Sequence, residues 1–393
     1  MYDVIVVGGG PIGSRVAYML AGEGHQVLVL ERRPGIGEKV CCTGIIGLEC
    51  VSSFAIGDDV ILRYVNSAGL FSPSGSMLRL WRDKPQACIL NRAAFDIMMA
   101  KRAEDKGAEY SLNSLVRNIF IDKDRVRVEA SCQGERKNLE ARAVIIASGF
   151  GSELGEKLGL GSVGDFIIGG QAEVEASGVD EVEVYFGRDV APGSFAWLVP
   201  TSQGRALAGL ISRQDTRLHL SKLLSSLQAD GKITSSEAKL GYGGIPLRTP
   251  ARTYGERVLV IGDAAGQVKP TSGGGIYYGL LCADIAADTL YQALAEDDLS
   301  AKRLARYERN WERRLGWELR VGHWARKLFE RLSDKQLDRI FNVIKTNGID
   351  EALLEAEDLS FDWHGKAILR LLGHAMVAKV AGAMRVPFRS GKD

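Results

Sequence analysis

Gly8, Gly10 and Gly13 stand in the spacing G-x-G-x-x-G, which suits a pyrophosphate. Gly8 permits a tight turn, Gly10 lets the backbone approach the phosphates, and Gly13 lets a helix pack close to the preceding strand. Ile12 lies inside the run, at the start of that helix, whose N-terminal N–H groups face the anion. Glu31, eighteen residues beyond Gly13, is placed to accept hydrogen bonds from ribose hydroxyls. Arg32 beside it and Val116 further along are expected to join these cofactor contacts. A second run reads Gly262-Asp263-Ala264-Ala265-Gly266 and then Pro270-Thr271-Ser272-Gly273-Gly274-Gly275-Ile276. Asp263 suits a ribityl hydroxyl. The glycines suit the pyrimidine end of a flavin, where negative charge collects on reduction.

These residues need rigid elements to place them. Residues 4–7 are β-branched and apolar, as a buried parallel strand reads. Ile12, Val16, Met19 and Leu20 share one helical face, Gly22-Glu23-Gly24 ends that helix, and residues 27–30 form a second apolar strand closed by Glu31. Residues 258–261 repeat the strand signal before the second run, and an Ala-rich helical stretch follows it over 277–294. This order predicts an α/β fold with a Rossmann-like, parallel-sheet FAD-binding domain over 1–155 and 246–295. Strand-like runs at 166–168, 182–186, 195–199 and 206–211 predict a mainly antiparallel substrate domain over 156–245, and 296–393 reads as a helical C-terminal region.

Both glycine runs, together with Leu90-Asn91-Arg92-Ala93-Ala94-Phe95-Asp96, resemble the aromatic-hydroxylase-like FAD superfamily. There the arginine reaches the flavin ribityl or phosphate region, so the resemblance implies that Arg92 does so here. Lys39-Val40-Cys41-Cys42-Thr43-Gly44-Ile45 resembles the cysteine-containing flavin loop of the geranylgeranyl reductase family, and Ser194-Phe195-Ala196-Trp197-Leu198-Val199-Pro200 its Y-x-W-x-F-P cavity motif. The resemblance covers roughly residues 1–300. It implies FAD as cofactor and reduction of C=C bonds in a prenyl chain on a lipid, diphosphate or quinone. It makes Cys41 and Cys42 the catalytic candidates, in either register, and Cys42, Thr43 and Gly44 flavin contacts. Phe195, Trp197 and Pro200 become substrate contacts, with Leu198 and Val199 as further wall residues. Two departures stand out. Ser148 occupies a position where the superfamily usually has Asp, which weakens direct NAD(P)H reduction. Ala208-Gly209-Leu210 replaces the family's G-x-G.

The bulk composition is that of an ordinary globular protein: 393 residues, 46% apolar, 25% charged and a net charge of +1, which points to no nucleic-acid partner. The six cysteines form no C-x-x-C pair and no zinc spacing, and none of the five histidines lies in a motif. No metal is expected. The chain opens directly into a strand without a signal-type n-region, and no apolar run reaches membrane-spanning length. A cytoplasmic protein is expected, with peripheral contact at the inner face of the cell membrane as an open alternative. Residues 301–331 carry ten basic and four acidic residues with Trp311, Trp317 and Trp324 near helical spacing. This reads either as an amphipathic helix packed on the substrate domain or as a patch drawn to anionic lipid. The apolar tail from Ala367 towards Val380 reads as a cavity cap or a membrane contact. The expected partner is an isoprenoid lipid, and ferredoxin, quinol and NAD(P)H all stay open as electron donor. The competing readings are a flavin monooxygenase, a flavin-dependent halogenase using a lysine such as Lys84, and a flavin-binding carrier without turnover.

Overall fold

The computed structural model describes residues 1–346 and 360–368. An eight-stranded sheet runs in the order Tyr254–Gly255, Val258–Val260, Glu135–Ile146, Tyr2–Val7, Val27–Leu30 and Glu109–Ser111, with Val126–Cys132 and Ser114–Ile121 added as an antiparallel extension from Glu135–Ile146. The central pairings are parallel, with Val4 opposite Val27 and Val7 opposite Ile146.

Strand alternation splits the apolar residues between two cores. Val4, Val6, Val27, Val29 and Ile145 face the helices Pro11–Gly22, Arg92–Glu104 and Ile276–Ala295. Ile5, Val7, Leu28, Leu30 and Ile146 face the other way, onto Val116, Ile119, Val126 and Val128. Burial on both faces explains why these strands read as unbroken apolar runs, and each such side chain contributes about 1.5–3 kcal/mol.

A seven-stranded sheet follows the order Leu240–Pro246, Phe166–Glu175, Arg205–Ser212, Phe195–Ser202, Val182–Phe186, Ser67–Phe71 and Met77–Trp81. All its pairings are antiparallel except that between Val182–Phe186 and Ser67–Phe71. Those last two strands come from the first segment of the chain, before the expected substrate domain begins. The solvent-facing positions of 67–81 carry no long apolar run, so their membership of this sheet is invisible locally.

Helix Thr216–Ala229 covers one face of the second sheet, burying Leu220, Leu223, Leu224 and Leu227 against Leu198, Ala208 and Leu210. Leu198 therefore belongs to this core, not to the cavity wall. The other face turns towards the first domain. Helix Ala301–Phe329, capped by the Ser300 side chain on Arg303 N–H, buries Leu304, Tyr307, Trp311 and Leu315 in the first core. Helix Asp334–Thr346 follows it. Most of the apolar tail running to Val380 lies outside the described residues.

Candidate functional site

The turn after strand Tyr2–Val7 is built for close approach. Gly8 has φ +110, and a Cβ there would lie 2.4 Å from the Ala147 carbonyl oxygen. A Cβ on Gly13 would lie 2.0 Å from the Gly8 carbonyl oxygen. A Cβ on Gly10 would meet nothing within 4 Å, so the protein leaves that side open. The helix beginning at Pro11 has no side-chain cap and no acid in its first turn, which leaves its terminal N–H groups for an anion. The Glu31 carboxylate accepts from Gly9 N–H (2.8 Å) and Arg33 N–H (2.9 Å) at the edge of this opening. Arg32 is exposed, and Val116 is buried in the core beneath. The cradle fits a dinucleotide.

The second run lies beside it: a Cβ on Gly262 would touch Ile12 at 3.3 Å. A buried relay fixes its turn. Gly262 N–H donates to Gln267 Oε1 (2.8 Å), Gln267 Nε2 to the Tyr307 hydroxyl (2.7 Å), and that hydroxyl to the Val260 carbonyl (3.1 Å). Burial raises Asp263 above the usual carboxylate range, with Arg92 opposing. Lys269 N–H donates to the Gly274 carbonyl and Gly273 N–H to the Lys269 carbonyl, closing the loop that carries Pro270. Gly275 then caps helix Ile276–Ala295, again with no side-chain cap and no acid in the first turn.

Arg92 joins the two halves. Its guanidinium donates to Asp96 Oδ1 (2.9 Å) and lies near Cys42, and a Cβ on Gly44 would press on its stem at 3.1 Å. Burial opposes its charge, yet Cys42 and Asp96 raise its pKa above the ordinary value. Arg92 Nε is buried without a partner among the described residues, as is Ser148 Oγ, whose Cα flanks Gly8. Orphaned donors at these two points are what a bound flavin dinucleotide would satisfy.

The sequence leaves the two cysteines interchangeable, and the structure separates them. Cys42 lies against Arg92, whereas the Cys41 sulfur lies 3.5 Å from the Cβ position of Gly241 in the second sheet. Burial, then the neighbouring Cys42, pushes the Cys41 thiol up to about 11, so it keeps its proton at neutral pH.

A row across the second sheet runs Trp197, Gly209, Gln171, Gly241. The indole lies over Gly209, where a Cβ would come to 2.5 Å from Trp197 Cζ2. The family's G-x-G is reduced here to the one glycine that the indole needs. Phe195 shares this face and packs on Trp197 with ring centroids 6.0 Å apart. Val199 also lies on it, with Ile89 and Val182. Pro200 falls, by strand alternation, on the opposite face with Ala196 and Leu198. It does not line the row. Gln171 is the polar exception, accepting from the Thr43 hydroxyl at 2.9 Å and so tying the cysteine loop to the sheet. Trp197 Nε1 is buried and unpartnered among the described residues. The result is a largely apolar trough along the sheet face, with Trp197 seated over Gly209 and Cys41 over Gly241, that ends at the cysteine loop. A separate cavity of about 160 Å³ touches Asp263, Gly149 and Phe150, and none of the trough residues lines it.

Residues 360–368 pack beneath the second run. Lys269 Nζ pairs with Asp362 Oδ1 at 3.2 Å, the two side chains being 6% and 1% exposed. Gly47 N–H donates to the same carboxylate (3.3 Å). Trp363 Nε1 and the Tyr277 hydroxyl both donate to Glu49, at 2.7 Å each. His364 accepts from the Thr271 hydroxyl (2.6 Å) and donates to the Phe361 carbonyl (2.9 Å). Burial, with Lys269 adding to it, lowers His364 from 6.5 to about 4. An undocked segment therefore binds a proton between these values that the docked one does not. Docking keeps its full stability above about pH 6.5 and loses it as pH falls towards about 4. Hydrogen exchange of the 360–368 amides should accelerate over that range relative to the core strands. Unchanged protection would remove His364 from the docking balance.

Sequence reasoning passed over Gln171, Lys269 and Asp362. Gln171 left a trace, a polar residue on the inward period of a strand with Ile167 and Gly169. Lys269 left another, the single charge between two glycine runs. Asp362 left none, because its role exists only once the chain folds back.

Comparison with known proteins agrees with this geometry. The FAD dependent oxidoreductase family model matches residues 3–49, and the lycopene cyclase protein model matches residues 86–345. A digeranylgeranylglycerophospholipid reductase from Methanopyrus kandleri is 34% identical over 97% of this chain and 95% of its own length. One from Methanocaldococcus jannaschii is 32% identical over 89% and 93%. The crystal structure of a geranylgeranyl bacteriochlorophyll reductase-like protein from Thermoplasma acidophilum superposes with a TM-score of 0.86 at 25% identity, covering 98% of each chain.

Proposed function

The chain belongs to the digeranylgeranylglycerophospholipid reductase family and matches the lycopene cyclase protein family model over residues 86–345, and on that premise we propose that it reduces C=C bonds of a prenyl chain carried on a membrane lipid. It is an FAD-dependent oxidoreductase. The observation that carries the substrate reading is the aromatic pair Phe195 and Trp197, on a row that runs over Gly209 and Gln171 to Gly241, where Cys41 lies. Oxygenation or halogenation keeps only the shared fold in its favour.

In this reading residues 1–155 and 246–295 bind FAD. Residues 156–245, joined by strands Ser67–Phe71 and Met77–Trp81, hold the lipid, and the chain from 296 onward is a helical region. The helix after Gly10 and the open side of Gly10 hold the pyrophosphate, and Glu31 takes the ribose. Arg92, Asp263, Gly44 and the loop from Pro270 to Ile276 surround the rest of the cofactor. FAD, when bound and reduced, would supply the hydride, which an unactivated alkene cannot obtain from any side chain, and the second alkene carbon would take a proton from the medium. The protein supplies placement: Trp197 and Phe195 fix the chain laterally, and the trough excludes water. Thr43, anchored on Gln171, sets the position of the cysteine loop. Cys41 holds its proton beside the trough, and Cys42 lies near Arg92.

The test is mass spectrometry of a geranylgeranyl lipid after anaerobic incubation with dithionite-reduced protein. Dithionite stands in for the physiological donor. The expected product gains two hydrogens per reduced bond. An unchanged lipid across several head groups, with the flavin reduced, would overturn the proposal.

A further inference from the structure

Helix Ala301–Phe329 has two unlike faces. Its inner face closes the end of the trough. Gly322 packs on Pro270, with a Cβ there 3.1 Å from the ring, and Arg326 donates to the Pro270 carbonyl (3.3 Å) and towards Ser194 Oγ (3.4 Å). Phe329 packs on Phe186, which packs on Phe195.

The acids of the helix are mostly turned towards the protein. Glu308 accepts from Thr253, Glu318 from Gly365 N–H, and Glu330 from Arg326 and Arg213. The opposite face carries Arg309, Arg313, Trp317, Arg320, Trp324 and, just past the helix end, Arg331, all exposed, at spacings of three, four and seven that keep them on one stripe. Trp324 is 50% exposed, and Trp317, whose ring edge packs on Gly365, is 41% exposed. None of the four arginines pairs with a carboxylate among the described residues. Glu312, the one exposed acid of the helix, lies about a quarter-turn off the stripe.

An indole stripe flanked by unpaired guanidinium groups matches the boundary of an anionic bilayer. There the rings sit at head-group depth and the cations meet lipid phosphates. No helix among the described residues is long and apolar enough to cross a membrane. We infer that this stripe docks the protein on an anionic lipid surface, with the trough reached from the inner side of the same helix. The inference rests on the reading of the substrate as a membrane lipid.

The experiment is flotation of the FAD-loaded full chain with vesicles of phosphatidylcholine alone and with phosphatidylglycerol added. The protein should float only with the anionic vesicles, and less as salt is raised. The Arg313→Gln/Arg320→Gln variant should partition about 30-fold more weakly, since each basic residue near the surface is worth about fivefold. Trp324→Ala should weaken partition separately. Unchanged flavin absorbance shows that the variants are folded. Absence of flotation with anionic vesicles, or equal flotation of wild type and both variants, overturns the surface. The two readings separate on detergent-dispersed lipid. Turnover there should be unaffected by the arginine substitutions. Flotation by a wild type that never reduces the lipid would remove the substrate reading and leave the surface standing.

Discussion

The Gly13→Ala variant is expected to purify without flavin. Its Cβ would sit 2.0 Å from the Gly8 carbonyl oxygen and 3.3 Å from Ala147 Cβ. The obstacle is backbone, so no flexible side chain swings away. Gly8 cannot retreat either, because it already lies at φ +110 against Ala147. Helix Pro11–Gly22 must therefore back away from the turn, taking its N–H groups from the phosphates. Losing two charge-assisted hydrogen bonds of about 1.5–3 kcal/mol each weakens FAD binding by at least about 100-fold. Flavin absorbance per protein after gel filtration reads the effect. Gly10→Ala is the informative companion. Its Cβ meets no protein atom within 4 Å, so the apoprotein's melting temperature should hold while flavin is lost. A Gly13→Ala protein that carries full flavin would mean that the turn is not the pyrophosphate site.

The cradle was legible because its physics is local. A β-branched strand, a glycine turn, a helix and a terminal acid each leave a mark within thirty residues, and the structure assembles them as strand Tyr2–Val7, helix Pro11–Gly22 and strand Val27–Leu30. The second run was legible for the same reason. What supports it was not: Gln267 and Tyr307 are forty residues apart and become partners only when helix Ala301–Phe329 packs on the sheet.

The second sheet was read from its alternating strands, but its edge was not. Ser67–Phe71 pairs in parallel with Val182–Phe186, more than a hundred residues away, and parallel pairing leaves no hairpin signal. The same limit applied to the wall of the trough. Phe195, Trp197 and Val199 share a face through period two, while Leu198 and Pro200 fall on the other. A contiguous motif names all five without distinguishing them. The Cys41 and Cys42 pair resolved only through their neighbours, Gly241 for one and Arg92 for the other.

Lys269 and Asp362 are the clearest case of chemistry hidden from the sequence, and removing one partner should have the larger effect on stability. Both side chains are almost wholly buried. Burial lowers the Lys269 pKa while Asp362 opposes it, so the ammonium is held by that carboxylate and by the Phe361 carbonyl. Lys269→Met leaves Asp362 charged in the interior, with only Gly47 N–H donating to it among the described residues. Breaking a buried pair from one side costs about 3–5 kcal/mol, a large share of the stability of a typical domain. The Lys269→Met/Asp362→Asn protein should recover most of this loss, because neither group then needs a counter-charge and the amide oxygen still accepts from Gly47. Denaturant unfolding of the three FAD-loaded proteins gives the comparison. Because the Lys269 backbone closes the Gly273–Gly274 turn, the single variant should also release flavin at lower denaturant than it unfolds the sheet. A single variant as stable as wild type would show that the segment carrying Asp362 does not dock in solution. A double variant no better than the single would show that packing around Lys269, and not its charge, holds the flavin loop in place.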